Sequence, residues 1–130
     1  MPILLSQVDR HQSEQRLRER RTALRQEIRD ALLRAGTERE ADIAGKLNDA
    51  QDHTLAELLS GVAQADIARD AAEISDIEGA LARLSAGTYG ECVQCGAGIP
   101  RERLNVYPTA KRCLPCQQAH EVAGNRSAAS

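Results

Sequence analysis

The sequence predicts a mainly α protein: a long antiparallel coiled-coil hairpin, then a small four-cysteine module and a short C-terminal helix. Three observations carry this. No proline interrupts residues 7–86, where good helix formers dominate. Gly87, Gly90, Gly96, Gly98, Pro100 and Pro108 then crowd a stretch with the composition of turns and short strands. Two CxxC pairs, Cys92 with Cys95 and Cys113 with Cys116, sit in and just after that stretch, separated by seventeen residues.

Composition narrows the function classes. There is no Phe and no Trp, and Tyr89 and Tyr107 are the only aromatic residues. Aromatic side chains usually supply much of the area in a compact core, so Ala- and Leu-rich helices zipped together are expected, without an enclosed substrate pocket. Residues 1–36 carry eight Arg against five acids, residues 37–91 four bases against twelve acids, and residues 92–130 five bases against two acids. An acidic middle between basic ends is not the concentrated basic face of a nucleic-acid binder, so no direct specific DNA binding is expected. His11, His53 and His120 are scattered, with no Ser/His/Asp grouping or phosphate-cradling loop, so the chain reads as no enzyme. The apolar opening is too short for a secretory signal, and no stretch approaches the roughly 20 apolar residues of a membrane span. A cytoplasmic monomer is expected, with no membrane partner.

The first 86 residues divide into two arms. Residues 48–54, Asn-Asp-Ala-Gln-Asp-His-Thr, are polar and cap-forming and read as the hairpin tip. Thr54 with Glu57 makes a capping-box pattern from which a second helix runs to Gly87, spanning roughly 50 Å. Apolar residues recur at seven: Leu17, Leu24 and Ala31 on the first arm, Ile67, Ile74 and Leu81 on the second. Pairing Leu17 with Leu84, Leu24 with Ile77, Ile28 with Ile74, Leu47 with Leu58 and Ala50 with Leu55 keeps the register nearly constant, with a stutter near the middle. Gly36-Thr37 lies at that stutter, and Thr37 with Glu40 repeats the capping pattern; a bent but continuous first helix is expected, with Gly36 facing Ala68.

Residues 87–123 form the second module, in which a short helix runs from Leu114 to Ala123; residues 124–130 read as a frayed tail. In a reducing compartment two close CxxC pairs are better explained by metal than by disulfides. Each pair wraps a knuckle whose thiolates take adjacent corners of a tetrahedron, which suits zinc. Four protein ligands close the coordination sphere, so one structural zinc is expected, stabilising a segment too small to fold alone. The same thiols also suit a redox sensor that ejects metal on oxidation.

The text Gly87-Thr-Tyr-Gly-Glu-Cys92-Val-Gln-Cys95-Gly, Ile99-Pro-Arg-Glu-Arg-Leu104, Pro108-Thr-Ala110 and Cys113-Leu-Pro-Cys116 closely resembles the zinc module of the DksA/TraR family of transcription factors. The match is dense over residues 85–121; over the hairpin it is one of length and architecture. The resemblance implies a protein that binds RNA polymerase through the secondary channel and points its hairpin tip at the active centre. The family's two tip aspartates, three apart, and the small residue that follows fall on Asp49, Asp52 and Thr54; the threonine departs from the usual alanine. Basic positions that help relatives bind the alarmone guanosine tetraphosphate fall on Asp76, Tyr107 and Gln117, none of them cationic, so alarmone binding there should be weak or absent. Arg69, Arg101, Arg103, Lys111 and Arg112 are candidate contacts to the channel rim. Three rivals remain: a zinc-ribbon adaptor for DNA or protein, a thiol redox sensor, and a transcript-cleavage factor with an acidic tip.

Overall fold

The computed structural model describes residues 5–47, 52–62 and 64–129, without the side chains at 52–54, 56 and 125–129. Its helices are α1 (Gln7–Ala35), α2 (Glu38–Leu47), α3 (Asp52–Leu59), α4 (Ala65–Ala86), α5 (Arg101–Val106) and α6 (Leu114–Ala129). No strand forms among the described residues; an isolated bridge joins Glu91 and Gly98. No described helix is long and apolar enough to cross a membrane. The mainly α class therefore stands. The chain divides into two compact units, Leu17–Gly79 and Met1–Arg16 with Ala80–Ser130.

Within Leu17–Gly79, α1 and α4 run antiparallel. Arg20 and Glu73 form a two-pronged ion pair, Nε to Oε2 at 2.6 Å and Nη2 to Oε1 at 3.1 Å, and Glu27 shares a hydrogen bond with Asp70 further along. The core follows the heptads. Leu17, Leu24, Ile28 and Leu32 on α1 and Ile67, Ile74 and Ile77 on α4 are each at most 2% exposed. Removing each such side chain from water contributes about 1.5–3 kcal/mol, which lets aliphatic residues hold the unit without Phe or Trp.

The arms are not the continuous rods that the sequence suggested. The first breaks at Gly36, whose φ of +75° is left-handed. Thr37 then restarts the chain as a cap: its Oγ1 accepts from the Glu40 N–H at 3.2 Å and its hydroxyl donates to the Glu40 carboxylate. The capping pattern was read correctly, but continuity through Gly36 was not. A Cβ built on Gly36 meets no described atom within 4 Å, so it is the left-handed φ and not crowding that favours glycine there. The second arm breaks too. The amides of Ser60 and Val62 turn back to the carbonyls of Glu57 and Leu59, and Gly61 takes φ +88° before α4 begins.

These breaks reverse the chain. Arg25 Nη1 donates to the Leu47 carbonyl at 3.3 Å. Twenty-two residues of straight helix would span about 33 Å, so α2 must double back along α1. The apolar stripe of α2, Ile43, Ala44 and Leu47, is buried. α3 packs on α2, and a Cβ on Gly61 would lie 3.1 Å from Arg39 Nη2, so the end of α3 stands beside the start of α2. The tip segment 48–51, with Asp49, lies outside the described residues. α3 begins at Asp52, two residues before the start expected at Thr54, so Thr54 lies within its first turn instead of preceding the helix as its cap.

In the other unit, Ser6 opens α1 through a reciprocal box with Asp9, its Oγ accepting the Asp9 N–H at 3.0 Å. α4 ends at Ala86, as the following glycine predicts. Two features of this unit correct the sequence reading: α5 forms where turns and short strands were expected, and α6 continues to Ala129 instead of fraying at Gly124.

Candidate functional site

The site is built on two knuckles. The first closes through Gly96 N–H to Cys92 O at 2.9 Å and Cys92 N–H to Ala97 O at 2.8 Å. Val93 N–H reaches Lys111 O at 2.9 Å, tying this knuckle to the segment that leads into the second. There Cys113 immediately precedes α6, its carbonyl accepting the Gln117 N–H at 2.9 Å, while Cys116 sits in the helix's first turn. Pro115 is accommodated in that turn because its missing N–H would have had no helical partner.

All four sulfurs converge. The Sγ atoms of Cys92, Cys95, Cys113 and Cys116 lie within 4.8 Å of one another, and those of Cys95 and Cys113 are 3.7 Å apart. Four sulfurs placed tetrahedrally about 2.3 Å from a zinc ion would be about 3.8 Å apart, so the donor set fits the metal. The electrostatics agree. Burial opposes ionisation of Cys92, but backbone amides of Cys113, Cys95 and Gln94 donate to it and hold its thiol down at about 6. Cys116 is pushed up to about 12 by hydrogen bonds with the thiols of Cys113 and Cys95 and by burial. Four thiols so close cannot all ionise alone; a dication relieves that conflict and leaves no open position for a catalytic water.

A small aliphatic shell supports the knuckles. Tyr89, 4% exposed, donates its hydroxyl to the Pro108 carbonyl at 2.9 Å, and burial pushes its own phenol up. Ile99, Leu104 and Ala110 are buried beside it in sequence. A Cβ on Gly90 would come within 3.1 Å of Leu5 Cδ1 and 3.6 Å of Leu104 Cδ1, so the absence of a side chain there is what lets Leu5 pack in. Arg83 reaches the Thr109 carbonyl at 3.5 Å. Nothing in the spacing of the cysteines announced these contacts; Tyr89 was legible only as one of two aromatic residues.

The candidate rim residues differ in setting. Arg69 and Arg101 are exposed, Arg103, Lys111 and Arg112 half-buried. Arg101 is held by Asp9, Nη2 to Oδ1 at 2.5 Å, and hydrogen bonding from Ser6, with Arg101 adding its charge against the opposing effect of burial, holds the Asp9 carboxyl low. Arg103 stacks over the ring of Tyr107 at 6.0 Å. At the positions compared with an alarmone site, Asp76 and Tyr107 are exposed, and Gln117 bonds Glu121 within α6 at 3.1 Å. The side chains of Asp52 and Thr54 lie outside the description, as does Asp49 entirely.

Known proteins share this module. Residues 87–122 match the profile of the prokaryotic dksA/traR C4-type zinc finger. Over 89 residues the chain is 35% identical to the RNA polymerase-binding transcription factor DksA of Caulobacter vibrioides, an alignment that covers 68% of this chain and 58% of that protein. A Haemophilus influenzae protein described only as uncharacterized is 31% identical over 81 residues, covering 62% of this chain and 95% of the relative. The solved structure of transcription factor DksA2 from Pseudomonas aeruginosa is similar at TM-score 0.43 and 28% identity, covering 79% of this chain and 87% of that one. The chain thus spans little more than half the length of the Caulobacter relative. With the four sulfurs disposed for one structural zinc and the profile seated on the same residues, the chain belongs to the DksA/TraR family of C4-type zinc-finger proteins.

Proposed function

We propose that this chain is a non-enzymatic transcription regulator that binds RNA polymerase through the secondary channel. The observation that carries the reading is the coincidence of the family's zinc-finger profile with a closed four-thiol site. A relative 35% identical over 89 residues is named for polymerase binding. The metal here serves folding and holds the module's surface in shape.

The acidic segment that contains Asp49, Asp52 and Thr54 is the part proposed to approach the active centre. Inside a confined channel, carboxylates are screened less than on an open surface, so two of them can perturb basic or mobile elements of the polymerase and alter the lifetime of an open promoter complex. Thr54 adds a branched side chain where relatives keep alanine, which weakens the output without touching the binding surface. Arg69, Arg103, Lys111 and Arg112 are proposed to meet acidic surface at the rim; Arg101, already engaged by Asp9, contributes less.

Purified protein mixed with core polymerase tests the reading. Association that a second secondary-channel factor competes away is the expected result. In the same assay Asp49→Asn and Asp52→Asn should retain binding and lose the effect on open-complex lifetime, while Thr54→Ala should enlarge it. Failure to associate would move the function to a zinc-ribbon adaptor.

A further inference from the structure

The first turns of α1 lie along the cysteine module, within one compact unit. Leu5, Asp9 and Ser13, spaced by four, make one stripe, and each of them meets the module. Leu5, 9% exposed, fills the space over Gly90 beside Leu104. Asp9 takes Arg101 in an ion pair at 2.5 Å, and Ser13 hydrogen-bonds the hydroxyl of the buried Tyr89. An apolar residue just before a helix cap commonly staples onto the residue four past the cap. Past Ser6 that residue is Arg10, which is exposed, so Leu5 turns its apolar side chain to the module instead. The family profile covers residues 87–122, so this stripe lies outside it.

The seat of Leu5 leads directly to the metal ligands. The Gly90 carbonyl accepts the Ile99 N–H at 2.7 Å, Glu91 and Gly98 form the isolated bridge, and Cys92 N–H reaches Ala97 O at 2.8 Å. Gly90 to Cys92 is thus one edge of a short hairpin whose far end is the knuckle carrying Cys92 and Cys95. Tyr89, next to the seat in sequence, fixes the Pro108 carbonyl on the way to Cys113 and Cys116. Both cysteine pairs are therefore a few bonded steps from the face that receives Leu5, Asp9 and Ser13. We propose that residues 5–13 are a clip coupled to the metal site: zinc holds the hairpin in the shape that seats the clip, and the seated clip raises the retention of zinc. Linkage makes the two effects equal in size. Metal occupancy thereby becomes readable at the start of α1, remote in sequence from every cysteine.

Two measurements on the full chain test the coupling, one in each direction. Hydrogen exchange read by mass spectrometry follows residues 6–13, where the Arg10 N–H bonds the Ser6 carbonyl at 3.1 Å. Stripping zinc with a chelator should speed exchange there by about tenfold and leave residues 20–32, in the other compact unit, protected. Zinc transfer to a chromogenic chelator reads the reverse effect. Leu5→Ser should weaken zinc retention by roughly 5- to 150-fold, whereas Leu5→Met, which keeps the apolar contact, should match the unsubstituted chain. Ile74→Ala, which loosens the other unit, should leave retention unchanged. Unchanged exchange at residues 6–13 after stripping, or protection lost equally at residues 20–32, overturns the clip. Full retention in Leu5→Ser overturns it too, as does equal loss in Ile74→Ala, which would reduce the effect to overall stability. If Leu5→Ser fails to fold, exchange in the unsubstituted chain decides alone.

Discussion

Arg25 and Leu47, twenty-two residues apart, are joined by a 3.3 Å hydrogen bond from guanidinium to backbone carbonyl. That bond forces α2 to return along α1, and it separates two questions that a heptad pattern merges: which residues are buried, and whether the buried stripe belongs to one rod or two. Burial follows the stripe in either case.

Side chains on that stripe should therefore behave unlike their neighbours. Ile74→Ala, at a position 1% exposed, is expected to cost about 2–5 kcal/mol through lost transfer energy and a residual cavity. Leu33→Ala, at a position 50% exposed, should stay within about 0.5 kcal/mol. Urea denaturation followed by far-ultraviolet circular dichroism measures both.

Zinc removal should unfold the cysteine module. Atomic absorption is expected to give one zinc per chain, and Cys95→Ser should lower retention sharply. Because Tyr89 is buried and Tyr107 is 60% exposed, chelation should change tyrosine fluorescence chiefly through Tyr89. Tyr89→Phe, which removes its bond to the Pro108 carbonyl, should cost about 0.5–1.5 kcal/mol, and more if that carbonyl stays dry.

Two carboxylates on α4, each meeting a residue of α1, should respond oppositely to pH. Burial first, then the hydrogen bond and charge of Glu27, raise Asp70 above 3.8. The folded state then holds the Asp70 proton more tightly than the unfolded one, so its stabilising contribution is present in acid and lost as pH rises from 3.8 through the folded value. Asp70→Asn should accordingly stabilise at neutral pH. The hydrogen bond from Arg20 holds Glu73 below 4.5 against the opposing effect of burial, a contribution present above 4.5 and lost as pH falls through the folded value. Glu73→Gln should cost less than about 1 kcal/mol at pH 7, since the pair is partly exposed, and nothing in strong acid. Denaturant titrations at both ends of that range check the two signs.

Guanosine tetraphosphate should add nothing to the protein's effect on open-complex lifetime through Asp76, Tyr107 and Gln117. None offers a positive charge, and Asp76 would repel phosphate. Lifetimes measured with protein, alarmone and both together decide this; a gain from the combination over the sum of the separate effects would contradict it.

The sequence disclosed the metal site almost completely, because thiolates at CxxC spacing have few other structural uses and Gly96 marks the knuckle between them. It disclosed the helix caps at Thr37 and the end of α4 for a similar reason: capping chemistry is local. It missed α5, a single short helix whose residues, Arg101 to Val106, sit in a stretch dominated by turn formers. It also missed the reversals. A glycine between two good helical segments reads equally as a kink or a stop, and tertiary contacts such as Arg25 on Leu47 settle the outcome. Leu58 shows the same limit: it was paired by register, yet it is half-buried and Leu59 is the buried neighbour, at 8% exposed.

The most direct measurement replaces the catalytic magnesium of core polymerase with ferrous iron, so that hydroxyl radicals generated at the active centre cut nearby polypeptide. Bound to polymerase, this chain should be cleaved within residues 48–54, and cysteine variants that lose zinc should be spared along with their binding. Cleavage confined to other segments, or none while the complex remains intact, would contradict the delivery of Asp49 and Asp52 to the active centre.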